Sequence, residues 1–175
     1  MNWASNAQWL GTTDRALPSQ RERLVRQICR AEGLPEDHRD WVLQLLESLP
    51  DGSTVCHGDL HPENILVAGG RAVVIGWTNA TRGNPLADVA RSCLMLKSPY
   101  TPPGPLLRVA VSLLRRTIRH TYLRLYLRLT EADEQEMLLW KIPVAAARLV
   151  DKVPGEREWL LELITRSLAH MRKSR

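Results

Sequence analysis

Apolar residues recur at helical spacing in the first third of the chain. A first helix is predicted to begin near Ser19 and to end at Gly33, where a positive φ costs little. Its apolar face consists of Leu24, Val25 and Ile28. A second helix is predicted from Pro35, and its apolar stripe consists of Trp41, Val42, Leu45, Leu46 and Leu49.

Helical spacing returns in the second half of the chain. A helix is predicted from Pro85 with Asn84 as its cap, and its buried side is expected to hold Leu86, Val89, Ala90, Cys93 and Leu94. Further helices are predicted over about 105–128, 131–152 and 155–172. Thr130 followed by Asp133 resembles a capping box, and Pro143 is expected to kink the helix that contains it.

The middle of the chain has the pattern of strands instead. Residues 54–56 predict a short buried strand, which leads into a loop over 57–64. Two apolar runs, 65–67 and 72–75, flank Gly69 and Gly70, which predicts a β-hairpin with a tight glycine turn. The loop therefore precedes one hairpin strand and Gly76 follows the other, so the two are expected to lie side by side. Residues 77–84 are predicted to form a polar loop.

Composition places the chain among ordinary globular proteins. It has 175 residues, 44% of them hydrophobic and 25% charged, with a formal net charge of +5, which fits one domain with a real core. Residues 1–17 are predicted to be a lead-in segment and residues 18–175 the domain. No secretory signal is recognisable after Met1, and the odd, scattered cysteines Cys29, Cys56 and Cys93 favour a reducing cytoplasm.

The loop over 57–64 carries the candidate chemistry. Asp59 is an acid that can accept a proton from a hydroxyl, and Asn64, five residues later, offers a neutral oxygen to Mg²⁺. On spacing alone the two side chains could equally cap turns of the loop. A zinc site is a further alternative, although the spacing matches no ordinary zinc pattern. Its ligands would be Cys56, His57 and His61, with Cys29 or Cys93.

Residues 56–66 read C-H-G-D-L-H-P-E-N-I-L, which resembles the H-G-D-x-x-x-x-N loop of the aminoglycoside phosphotransferase and choline kinase-like family. Residues 73–90 resemble its second motif, V-I-D-W followed by G-x-P-x-x-D. The resemblance implies a mostly helical α+β fold, the C-terminal lobe of a protein kinase-like fold with a small central hairpin. It implies transfer of the ATP γ-phosphoryl group to a small-molecule hydroxyl, with ATP and Mg²⁺ as cofactors. Asp59 would be the catalytic base and Asn64 a metal ligand, while His57 and Asp88 would support the loop.

The chain departs from the family pattern in two places. Gly76 stands where the family has a second metal-binding Asp, so a weak metal site is predicted, unless Asn79 or Glu63 reaches the ion. Only 56 residues precede His57, and they predict mostly helix with no glycine-rich loop, so the nucleotide-binding N-lobe is expected to be missing. The leading hypothesis is a truncated, catalytically impaired phosphotransferase. The alternatives are a pseudokinase-like binding partner and an enzyme that is active only when another chain supplies the nucleotide lobe.

A basic stripe marks the helix predicted from residue 105. It consists of Arg116, Arg119, His120, Arg124 and Arg128. Such a stripe is typical of a solvated face, and the opposite face is expected to be buried through Leu106, Val109, Leu113 and Leu114. Contact with nucleic acid or with an anionic membrane is the less favoured interpretation. The expected partner is a small-molecule hydroxyl substrate, with no nucleic acid and no membrane, and a protein partner at the missing-lobe face is an alternative.

Overall fold

The computed structural model describes residues 17–100 and 102–173. Its helices are α1 (Gln20–Arg30), α2 (Glu36–Ser48), α3 (Pro85–Lys97), α4 (Pro105–Thr130), α5 (Glu134–Arg148) and α6 (Arg157–Lys173). Its strands are β1 (Thr54–Cys56), β2 (Ile65–Ala68), β3 (Arg71–Val74) and β4 (Thr81–Gly83). Short 3₁₀ turns cover Pro62–Asn64, Trp77–Asn79 and Leu149–Asp151. The predicted mostly helical α+β fold with a small hairpin is confirmed, while nearly all of the predicted lead-in lies outside the described residues.

Helix α5 forms the centre of the core. All its side chains from Ile142 to Arg148 are buried, as are Met137 and Trp140, and the helix packs against α1, α2, α3 and α6. Trp140 fills the largest share of this space, and the run Ala145 to Ala147 allows the neighbouring helices to approach closely. Full burial of each large apolar side chain contributes about 1.5–3 kcal/mol. The helix is continuous through Pro143, and its predicted kink stays a prediction.

Helix α1 begins where the sequence indicates, but its buried face differs in one position. The Ser19 hydroxyl accepts a hydrogen bond from the Glu22 N–H and so caps the helix. Leu24 and Ile28 are buried, whereas Val25 is exposed, so its predicted place in the core is wrong. The stripe follows spacings of four and three residues through Leu24, Ile28 and Ala31, and position 25 points about 100° away from it.

The strands form two separate antiparallel pairs, β1 with β4 and β2 with β3. The β2–β3 turn has positive φ at both Gly69 and Gly70, as a two-residue hairpin requires. Strand β4 was not predicted, since its residues were assigned to a polar loop. It pairs Thr81 with Cys56. The prediction of a buried β1 holds only for Cys56, because Thr54 is exposed.

The second half of the chain corrects two predictions. The Thr130 hydroxyl donates to the Tyr126 carbonyl oxygen inside α4, so Thr130 does not cap α5. Asp133 is the cap instead and accepts from the Gln135 N–H. The leucine-rich face of α4, expected to be buried, is exposed along its first half. Within the described ranges, no helix is both long and apolar enough to cross a membrane.

Candidate active site

Asp88 holds the backbone of the loop that follows β1. Its two carboxylate oxygens accept hydrogen bonds from the N–H groups of His57, at 2.8 Å, and Gly58, at 2.7 Å. Asp88 lies in the first turn of α3, which Asn84 caps by accepting from the Leu86 N–H. Burial raises the pKa of Asp88, and the two backbone hydrogen bonds oppose that rise. A partly buried carboxylate thus fixes the start of the loop.

Glycine is the only residue type that fits position 58 of the loop. The φ of Gly58 is +77°, and a side chain there would overlap the carbonyl oxygen of Asn79. The guanidinium of Arg23 donates to that same oxygen and to Asn79 Oδ1. Arg91 Nε donates to the Gly58 carbonyl oxygen, and Arg91 Nη2 donates to the carboxylate of Asp151. Side chains from α1, α3 and the turn after α5 therefore hold the loop from below.

Sequence reasoning missed these three supporting side chains: Arg23, Arg91 and Asp151. Each is a single charged residue on an otherwise ordinary helix face or turn. Its spacing from neighbouring residues in the sequence does not distinguish it from a solvated surface charge. Among the residues that support the loop, only His57 and Asp88, which the family motif marks, were recognised without the fold.

His57 connects the loop to the end of the hairpin. Its Nδ1 accepts from the Asp59 N–H at 3.1 Å, so we assign the ring proton to Nε2, which donates to the Ile75 carbonyl oxygen at 2.8 Å. The buried ring also packs against Trp77, with centroids 4.6 Å apart. Both ring nitrogens are therefore used within the protein.

Asp59 and Asn64 are brought together on one loop. Asn64 Nδ2 donates to the Asp59 carbonyl oxygen at 2.8 Å and lies 3.2 Å from His61 Nε2. That same His61 nitrogen is 3.8 Å from the Asp59 carboxylate, whose side chain keeps 31% of its surface exposed. The backbone of Asp59 is thus fixed on both sides while its carboxylate remains accessible.

The carboxamide of Asn64 occupies the space beside Gly76. A Cβ added at Gly76 would lie 2.7 Å from Asn64 Oδ1, and the φ of Gly76 is +81°. Because Nδ2 is committed to the Asp59 carbonyl oxygen, Oδ1 is the atom directed at Gly76, where the family motif has its carboxylate. Asn79, one of the two predicted substitutes, is already bound to Arg23 through its Oδ1.

These residues do not fit a two-ligand magnesium clamp, because Gly76 offers no side-chain oxygen and Asn64 supplies a single neutral one. The zinc alternative also lacks a suitable geometry. Burial raises the pKa of the Cys56 thiol to about 12, and its Sγ contacts backbone carbonyl oxygens instead of a second ligand. In the parts of the chain that the structure describes, no three His, Cys, Asp or Glu side chains group together in a way that could hold an ion.

A family model for the phosphotransferase enzyme family (APH) matches residues 4–140, more than three quarters of the chain. The chain belongs to this phosphotransferase family. The predicted resemblance is therefore confirmed, and the match spans the loop from His57 to Asn64, Gly76 and Asp88. It begins within the segment predicted to be a lead-in. No protein of curated function and no solved structure gives a significant match.

Proposed function

We propose that this phosphotransferase-family chain keeps the part of its active site that binds the acceptor hydroxyl. We propose that the part that binds the metal ion, its metal side, is impaired. The reaction would be transfer of the ATP γ-phosphoryl group to a hydroxyl of a small molecule. Asp59 would accept the hydrogen bond of that hydroxyl and orient it for attack. The observation that carries this proposal is the fixed backbone and partly exposed carboxylate of Asp59, held by His57 and Asn64.

The expected impairment follows from Gly76. A bound metal supplies several kcal/mol of stabilisation to the charge that develops in phosphoryl transfer. Losing about 4 kcal/mol of that stabilisation slows turnover about a thousandfold, since each 1.36 kcal/mol is a factor of ten. We therefore expect slow turnover that still depends on Asp59.

Steady-state assays with ATP, Mg²⁺ and a panel of small alcohols, including aminoglycosides and choline, test this function. We expect slow phosphorylation of one class of these alcohols, and Asp59→Asn should abolish it. Asp40→Asn is the matched control, because Asp40 is an exposed acid on α2, outside this loop. Turnover at tens per second, which is ordinary for kinases, would contradict the impairment. Turnover that survives Asp59→Asn would contradict the site.

A second candidate is favoured by the exposed apolar side chains of the β2–β3 hairpin. Leu66, Val67 and Val73 are each more than half exposed, and Trp77 beside them is 44% exposed. In the family, the resemblance implies that a nucleotide-binding lobe covers this side of the loop. We propose that a protein partner docks here, either as a regulator or as the source of that lobe.

Mixing the chain with a separately expressed nucleotide lobe of the family tests the second candidate. A gain in ATP turnover that Val67→Lys removes is expected. The control is Leu138→Lys, which changes an exposed apolar side chain on α5, outside the hairpin. No gain, together with no binding of the lobe by calorimetry, would reject this candidate.

A further inference from the structure

The first half of α4 presents an apolar ridge that nothing in the described protein covers. Leu106 is 87% exposed, and Val109, Leu113 and Leu114 are each 59–60% exposed. Their spacings of three, four and one residues place them on one side of the helix. The second half of α4 is attached to the core through Tyr122, Leu123 and Tyr126. The ridge is therefore held in place by the fold and points away from it.

Positive charge accompanies this ridge. The 26 residues of α4 contain six arginines and no acidic residue. A surface groove beside the ridge is lined by Lys97, Arg108 and Arg116 together with Val109 and Leu113, and no carboxylate lines it. Lys97 of α3 and Arg119 of α4 also act on Lys141 of α5, whose pKa is lowered first by burial and then by these charges.

The charge and the shape of this face argue against three other binding partners: a second copy of the chain, a polynucleotide and an acidic protein helix. A second copy of α4 packed on the first would set arginines against arginines with no acid to neutralise them. A polynucleotide would use the arginines and leave the leucines in water. An acidic protein helix seated in the groove would cover Val109 and Leu113, but it would leave Leu106 and Leu114, which do not line the groove, in water.

We propose that the first half of α4 lies on an anionic membrane surface. Leu106, Leu113 and Leu114 would enter the boundary between headgroups and acyl chains, and the groove cations would contact lipid phosphates. An amphipathic helix with leucines on one side and arginines beside them binds membranes in this way without crossing them. The expectation of no membrane partner depended on these leucines being buried, which they are not. The proposal is independent of the phosphotransferase activity.

Flotation of the full chain with vesicles tests the proposal. Vesicles of phosphatidylcholine mixed with phosphatidylglycerol should carry the protein to the top of the gradient, and pure phosphatidylcholine vesicles should not. Arg116→Gln should weaken the partition about fivefold, the effect of one cation near an anionic surface. Leu106→Gln with Leu113→Gln should weaken it about tenfold or more.

Matched controls use exposed positions outside α4, namely Leu138→Gln on α5 and Arg166→Gln on α6. Both should bind vesicles as the unchanged protein does. Because all substituted side chains are exposed or line an open groove, thermal unfolding should be unchanged, which separates lost binding from lost folding. Binding that ignores lipid charge, or that survives the double leucine variant, overturns the proposal. The proposal is also overturned if the protein forms a dimer that depends on these leucines and does not bind vesicles. It is overturned as well if the protein binds polyglutamate, an acidic polypeptide, but not vesicles.

Discussion

Replacing Gly76 with aspartate restores the family's acid and simultaneously disturbs the loop. A non-glycine residue at φ +81° costs about 1 kcal/mol. The new Cβ also lies 2.7 Å from Asn64 Oδ1, so the carboxamide must move. Moving it breaks the hydrogen bond from Asn64 Nδ2 to the Asp59 carbonyl oxygen, which contributes about 1 kcal/mol. Without metal, Gly76→Asp should therefore lower the free energy of unfolding by about 2 kcal/mol.

Gly69→Asp is the matched control for this substitution. Gly69 also has a positive φ, +56°, but no atom lies within 4 Å of an added Cβ. This variant should therefore lose only the backbone part, about 1 kcal/mol. Urea unfolding of both variants, followed by tryptophan fluorescence in EDTA, measures the difference. That difference of about 1 kcal/mol isolates the contact with Asn64.

Magnesium then separates a restored metal site from a merely damaged loop. A folded-state site with Mg²⁺ at ten times its Kd gains about 1.4 kcal/mol. Gly76→Asp should recover most of its lost stability as Mg²⁺ is added, while Gly69→Asp should not respond. Equal stability of the two variants in EDTA would refute the placement of Asn64 against Gly76. Equal responses to Mg²⁺ would refute position 76 as the missing ligand.

Three further predictions concern the support of the site and the core. Burial raises the pKa of Asp88 above its ordinary 3.8, so the folded state binds a proton more readily than the unfolded state. The contribution of this group to stability is therefore lost as pH rises from about 3.8 through the raised value. Urea unfolding at a series of pH values upward from the ordinary 3.8 should show that slope, and Asp88→Asn should remove it. Glu156→Gln, which leaves a buried arginine without its carboxylate, should cost about 3 kcal/mol, against about 0.5 kcal/mol or less for the exposed Glu162→Gln; equal costs would contradict the buried pair. Iodoacetamide should label exposed Cys29 in the folded protein, while Cys56, whose pKa is raised to about 12, should react only after unfolding.

The local parts of the fold were predictable because adjacent residues determine them. Gly69 and Gly70 specify the hairpin turn by their freedom at positive φ, and Ser19 and Asn84 cap their helices with their own side chains. The family motif in turn identified Asp88, whose role as a loop support matches the two backbone hydrogen bonds that it accepts.

The parts that failed depend on partners far away in the chain. Strand β4 exists because its polar residues pair with β1, more than twenty residues earlier, and no local pattern shows that pairing. The leucines of α4 have the spacing of a buried face, but spacing cannot tell whether a neighbour is present to cover them. Thr130 and Asp133 both suit a cap, and the extension of α4 by two residues decided between them.

The most direct test of the central claim is the binding of ATP, measured by calorimetry with Mg²⁺ and with EDTA. We expect that the unchanged chain binds ATP weakly and with little dependence on Mg²⁺, and that Gly76→Asp makes the affinity strongly Mg²⁺-dependent. Tight, Mg²⁺-dependent binding by the unchanged chain would contradict the claim that the metal side of this active site is impaired.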